Sequence, residues 1–305
     1  MLDCKENKVR IEGILSEVNL KHSSFQKNGK EMKALGGEIK IRVEQKLTKT
    51  DESLSILEIP VQMFASELKN DGSPNPAYEN ISRIMNEYVS IAASDEAHAD
   101  RIRITNGQIK MNEYYSQNGS FISFPRIHAS FVSKVKKEDF KPEATFSVTF
   151  AVANKGYELD KDGVETDKYC VTGILPQYGG KVDVIKFNTA SKNVAEAVSE
   201  YWEQGDTVRA SGKLNFSSRT ETTLTEVDFG DPVEETRTIS VSELIITGGS
   251  STPLEGEFAY NQDEIMSALA DRKARLAELK ENSKKDGSKK APAQASGNRF
   301  KDLGF

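Results

Sequence analysis

One order of elements occurs twice in this chain, and it restricts the fold more than any single residue does. Short segments with apolar residues at every second position, bounded by Gly, Asn, Asp and Ser, read as half-buried strands. In Val9 to Leu20, the residues Val9, Ile11, Ile14, Leu15 and Val18 stand among charges. In Glu38 to Leu47, Ile39, Ile41 and Val43 alternate with Lys40, Arg42 and Glu44. Leu54 to Phe64 continues the pattern, with Pro60 marking an edge or a bulge. Behind the turn Asp71 to Pro76 the period changes, and Tyr78, Ile81, Ile84, Met85 and Tyr88 recur at helical spacing. Strands resume at Arg101 to Tyr115 and Phe121 to Val135.

The second half repeats this order. Strands are expected at Thr145 to Ala153, Lys168 to Leu175 and Lys181 to Phe187, the last entered through the turn Pro176 to Gly180. Ser191 is placed to cap a helix from Lys192 to about Glu203, with Val194, Val198 and Tyr201 on one face. Strands follow at Thr207 to Phe216 and Thr236 to Ile246. The halves also share local wording: Ile84 to Tyr88 precedes Arg103 to Gly107, as Ala197 to Tyr201 precedes Arg209 to Gly212. That reads as internal duplication. Five strands with a helix between the third and fourth is the order of the OB-fold, a Greek-key barrel; a sandwich is the alternative for short alternating strands. The expected class is therefore all-β: two tandem OB-fold (five-stranded Greek-key) barrels, then a C-terminal helix and a disordered tail.

The expected domains are 1–140 and 141–250 for the two units, 251–283 for a linker and amphipathic helix, and 284–305 for the tail. The helix is read over Asn261 to Asn282, where Ile265, Ala268, Leu269, Leu276 and Leu279 form an apolar stripe. Such a stripe packs on the second barrel or mediates self-association. Ser283 to Asn298 is rich in Lys, Gly, Ser, Ala and Pro, the composition of a tether. Phe300, Leu303 and Phe305 at its tip have no core to join and read as a partner-binding motif.

An enzyme needs a constellation of reactive groups, and none assembles. The three histidines, His22, His98 and His128, have no metal-ligand spacing, and no phosphate-cradling or nucleophile-elbow motif occurs. Asp160-Lys161-Asp162-Gly163 opens like a calcium loop but lacks the closing acid. Two cysteines, Cys4 and Cys170, make no disulfide scaffold. The reading is a non-catalytic protein with no cofactor and no metal. No apolar run reaches membrane length and the N-terminus is polar, so a cytoplasmic protein without a membrane partner is expected.

OB-folds bind oligomers on the face of strands 2 and 3 and between the loops joining strands 1–2 and 4–5. In the first unit the 1–2 loop is read over Lys21 to Lys33, and Lys21, Phe25, Lys27, Lys30 and Lys33 in it face one acid, Glu31. Cations beside an exposed aromatic suit a single strand, the charge tracking phosphates and the ring stacking on bases. Lys40, Arg42, Lys110, Tyr115, Phe121 and Arg126 extend the set. Tyr114 and Tyr115 alternate to opposite faces, so one is exposed. The second-unit candidates are Lys155, Tyr157, Lys168, Tyr178, Lys181, Lys186, Arg209, Lys213 and Arg219, while Trp202 is read as core.

The segment Lys181 to Phe187, the helix Val194 to Trp202 and the run Gly205-Asp206-Thr207-Val208-Arg209-Ala210-Ser211-Gly212-Lys213-Leu214 resemble the core of single-stranded DNA-binding proteins. Phe146 to Asn154 resembles that family's preceding strand. The resemblance implies a protein that coats single-stranded DNA in replication, recombination or repair and recruits a partner through its tail. Bacterial members end in an acidic tip with a final Phe. Here Arg299 and Lys301 accompany a single acid, Asp302, a departure that counts against recruitment in the usual way. Two units in one chain make it look more like a virus-encoded relative, a bacteriophage protein acting in its host's cytoplasm.

Charge counts against this reading. The formal net charge is −6, and residues 251–305 hold ten basic and nine acidic residues, which leaves 31 basic and 38 acidic in the first 250. A binder of this composition must segregate its charges. The rival is a viral structural or assembly adaptor built on β-barrels without nucleic-acid binding.

Overall fold

The computed structural model describes residues 2–27, 29–116, 118–160, 162–225 and 233–287. The first half contains β1 (Asn7–Lys27), β2 (Lys30–Gln45), β3 (Ser55–Ser66), α1 (Pro76–Glu87), β4 (Arg101–Tyr115) and β5 (Phe121–His128). A two-residue β6 (Ser133–Lys134) pairs with β4. The second half contains β7 (Glu143–Leu159), β8 (Glu165–Pro176), β9 (Val182–Thr189), α2 (Lys192–Tyr201), β10 (Thr207–Thr225) and β11 (Val233–Gly249), followed by α3 (Gln262–Gly287).

The pairings close two rings. β1 pairs with β2, β2 with β3, β3 with β5 in parallel, β5 with β4, and β4 returns to β1. β7, β8, β9, β11 and β10 repeat this order, again with one parallel pair between the third and fifth strands. This is the strand order of the OB-fold. The rings join where β1 and β7 run antiparallel, from Asn7 opposite Val148 to Glu12 opposite Glu143. One apolar core runs through both, with Ile39, Ile41, Ile59 and Ile104 in the first ring and Phe146, Phe150 and Phe187 in the second.

The helices begin where side-chain caps satisfy their first N–H groups. Asn75 accepts from the Ala77 N–H with Pro76 at the first helical position, and Ser191 accepts from the Val194 N–H. The buried face of α2 is Ala195 and Val198, continued by Trp202, whereas Tyr201 is exposed. Val198 and the partly buried Val194 face the core as read from sequence; only Tyr201 is corrected, its place being taken by Trp202, which shifts the repeat by one residue. Tyr88 caps α1 and donates to the Val132 carbonyl; its counterpart is Trp202, which caps α2 and donates to the Ser250 carbonyl at 2.8 Å.

A second correspondence lies at the junction. Gln45, buried at the end of β2, donates to the Ala144 and Leu214 carbonyls and accepts from the Ala144 N–H at 2.9 Å. Gln177, buried just past β8, donates to the Ile109 carbonyl of the first unit at 3.0 Å. Each unit thus pins the other with a glutamine at the end of its second strand.

Several boundaries differ from expectation: the strand expected over Phe121 to Val135 ends at His128, β7 and β10 run on to Leu159 and Thr225, and two further differences bear on the site. The segment expected as a loop over Lys21 to Lys33 is a paired hairpin arm, in register to Lys27 opposite Lys30. α3 continues to Gly287, into the segment expected as tail. Its Ile265 and Ala268 pack with Tyr260 against Ala151, Ile174 and Val182, so it docks on the second ring.

Candidate nucleic-acid interface

Side chains pointing out of a ring alternate with those pointing in. On β3, Leu57, Ile59, Val61 and Met63 point in, so Ile56, Glu58, Pro60, Gln62 and Phe64 form the outer row. The register sets Phe64 opposite Gly36, and a methyl group at Gly36 would stand 3.0 Å from the Phe64 ring. The ring therefore lies over bare backbone, 59% exposed, with Phe25 6.0 Å away. Phe25 shares this face with Lys21, Lys27 and Lys30, while Lys33 points to the other side of the arm. None of these lysines has an acid partner among the described residues; Lys27 donates to the Asn70 amide oxygen at 2.5 Å. Sequence reasoning missed Phe64, although its parity against the core residues of β3 marks it.

This face continues into a groove of about 850 Å³ between β1–β3 and the β10–β11 arm. Its floor carries Glu17, Glu38 and Glu58; Glu17 and Glu58 are held in ion pairs, and Glu38 accepts from a neutral amide. Lys40 stands 2.6 Å from Glu17, Arg42 stands 2.9 Å from Glu58, and Gln62 donates to Glu38 at 2.6 Å. Hydrogen bonds from Lys40 and Asn19 hold the Glu17 carboxyl below its ordinary range. The β5 wall supplies Arg126, 5.2 Å above the Phe124 ring, with Lys110 directly across the β4–β5 ladder. Burial, reinforced by Lys110 and Arg126, pushes the neighbouring His128 down to about 4, so it adds no charge at neutral pH.

A second concavity of about 400 Å³ lies at the seam, lined by Lys110, Tyr178, Lys181 and Arg275 together with the acids Glu113 and Asp183, Glu113 standing 3.5 Å from Arg275. Tyr178 is 96% exposed on a turn that Gly179 and Gly180 close with φ of 79° and 75°. Arg275 of α3 was not a sequence candidate.

The remaining candidates are engaged elsewhere. Lys155 donates to the Ser199 carbonyl at 2.6 Å and closes the end of α2. Lys168 stands 3.4 Å from Glu243, Arg209 stands 2.9 Å from Glu6, and Lys186 pairs with Glu158. Lys213 donates to the Lys46 carbonyl. Tyr157 packs edge-on against Tyr169. Of the tyrosine pair it is Tyr114 that is exposed; Tyr115 is half-buried between Phe121 and Lys280. Arg219 lies on β10 with its side chain outside the described residues, as do Phe300, Leu303 and Phe305. Among the described residues no cluster of His, Cys, Asp or Glu is placed to hold a metal, and no helix is long and apolar enough to cross a membrane.

Among solved structures the chain resembles a deletion variant of the single-stranded DNA binding protein from Thermus aquaticus. The two are 12% identical over 84% of this chain and 97% of the other, with a TM-score of 0.50. The wild-type Thermus aquaticus protein matches at 11% identity over 82% and 94% of the two chains, with a TM-score of 0.48. At this identity the likeness to the deletion variant shows a common fold. No curated protein matches the chain in sequence. Residues 5–282 match the model of the YorF family.

Proposed function

We propose that this chain, which belongs to the YorF family, binds single-stranded DNA without sequence preference and without catalysis. One observation carries the reading: the exposed Phe64 ring, laid over Gly36 and flanked by Phe25, sits among Lys21, Lys27 and Lys30 on the outer face of an OB ring. Bases stack on the two rings, each stacked base contributing roughly 1–3 kcal/mol, and the lysines follow the phosphates. The strand continues past Arg126 and Lys110. The acidic composition is accommodated because two of the groove's three floor carboxylates, Glu17 and Glu58, are held in ion pairs, while Lys21, Lys30, Lys110 and Arg126 have no acid partner among the described residues.

The finer role is coating of single-stranded DNA during replication or recombination in the cytoplasm, with a protein partner recruited through Phe300, Leu303 and Phe305. The sequence resemblance and the apolar tip support it. Fluorescence anisotropy of labelled oligo(dT) at two salt concentrations tests the central reading. Three to four phosphate contacts give a log–log salt slope of about −2 to −3 at about −0.7 per contact. Absent or salt-insensitive binding at micromolar protein overturns it and leaves the adaptor reading.

A further inference from the structure

The exchange of units that relates Gln45 to Gln177 also relates their outer faces, and the two faces differ in what covers them. Counted back from the glutamines, Arg42 and Glu44 of β2 correspond to Ile174 and Pro176 of β8. The registers then match Glu58 and Ile56 of β3 with Val184 and Val182 of β9. In the first unit these positions are an ion pair beside an exposed isoleucine. In the second they are apolar, and α3 lies on them, burying Ile265 and Ala268 against Ile174 and Val182. Further along, Arg272 and Arg275 reach Glu113 of β4, and Lys280 stands 5.9 Å from the Tyr115 ring. α3 therefore bridges the second unit's face and the first unit's β4–β5 arm. The floor of the first unit's open groove, Glu38, Lys40, Glu58 and Pro60, corresponds to Cys170, Thr172, Val184 and Lys186, so α3 covers the end of the second unit's face that adjoins the groove's counterpart.

Charge follows the same division. Lys21, Lys30, Lys110 and Arg126 of the first unit have no acid partner among the described residues. On the second unit's face Lys168 reaches across to Glu243 of β11, and Lys186 is held by Glu158. Releasing these two lysines to phosphates costs the pairs they already make.

We propose that the first unit alone carries the single strand, from Phe25 and Phe64 to Arg126 and Lys110, while on the second unit the outer face is closed to it by α3 at one end and by the ion pairs of Lys168 and Lys186 at the other. The proposal rests on the reading of the chain as a single-strand binder. It predicts a footprint of one OB unit, about 4–16 nucleotides, where two equal units would cover about twice that.

Anisotropy with a ladder of labelled oligo(dT) lengths tests it, using two kinds of variant whose folding is verified by circular dichroism. Lys21→Ala/Lys30→Ala weakens binding at least tenfold and makes the salt slope shallower by about 1.4, two contacts at 0.7 each. The charge-neutral pairs Glu158→Ala/Lys186→Ala and Lys168→Ala/Glu243→Ala leave affinity within twofold. Affinity reaches its plateau at the one-unit length. Equal losses from both kinds of variant, or affinity still rising past the two-unit length, overturn the one-sided path while leaving single-strand binding in place. Failure of the unmodified protein to bind any length removes the functional reading itself.

Discussion

Replacing Gln45 by Ala tests how the two rings are held together. The Gln45 amide donates to the Ala144 and Leu214 carbonyls, both at 3.2 Å, and accepts from the Ala144 N–H at 2.9 Å. It is 6% exposed, so water does not replace it freely. Leaving the Ala144 N–H unpaired costs about 1–3 kcal/mol, and the two carbonyls each lose a donor, for a total of roughly 2–4 kcal/mol. Gln177→Ala is the matched control. The Ile109 carbonyl that it serves also accepts from the Asn7 amide at 2.8 Å, so no backbone group is orphaned. Its loss costs about 0.5–1.5 kcal/mol, the ordinary net value of a hydrogen bond. Urea unfolding followed by circular dichroism reads the difference. At a slope of about 3 kcal/mol per molar, Gln45→Ala moves the midpoint by roughly 1 M and Gln177→Ala by less than half of that. Equal shifts, or a larger one for Gln177→Ala, refute the reasoning, because the two residues would then act only by filling equivalent space.

Three further outcomes follow from single positions. A methyl group at Gly212 would stand 2.0 Å from the Ile245 carbonyl oxygen and 2.6 Å from the Phe146 ring, so Gly212→Ala unfolds the protein or lowers its melting temperature by many degrees; a native melting curve contradicts the packing. His128 has a folded pKa of about 4, below its unfolded value. Its contribution is therefore full above about pH 6.5 and is lost as pH falls towards 4, roughly 1–2 kcal/mol after allowing for its partial exposure. Wild type and His128→Gln compared in urea at pH 7 and 4.5 check this, and parallel pH profiles contradict it. Burial raises the Asp183 carboxyl above its ordinary range, so its charged form costs stability at neutral pH and the cost fades on acidification. Asp183→Asn keeps an oxygen for the Met111 N–H and raises the urea midpoint at pH 7; a lower midpoint shows that the carboxylate is instead held by Arg272 and Arg275.

The strand order was legible because a ring with one buried face writes a period of two, as in Ile39, Ile41 and Val43. The cap of α2 was legible for a similarly local reason, since Ser191 bonds an N–H group three residues on; the equally local Asn75 cap of α1 was read only as part of a turn. The hairpin arms were not, because past the ring neither side is buried and polar residues occupy both parities, as in Lys21 to Lys33. Phe64 and Tyr115 show parity read incompletely. Phe64 falls out of phase with Met63, and Tyr115 falls in phase with buried Ile109, which leaves Tyr114 as the outward member of its pair. The engagement of Lys168 by Glu243 and of Arg209 by Glu6 had no local signal, since each acid lies far along the chain and arrives only through ring closure. The position of α3 was half legible: its apolar stripe demanded a partner, but only the fold shows that the partner is the second unit's outer face.

The most direct test of the account is the affinity of Phe64→Ala for labelled oligo(dT), measured beside wild type in the same buffer. Phe64 is exposed and outside the core, so the variant keeps the native circular dichroism spectrum. Loss of one stacking platform worth about 1–3 kcal/mol weakens binding by roughly 5- to 150-fold. Unchanged affinity in a folded Phe64→Ala would contradict the claim that the single strand lies on this face.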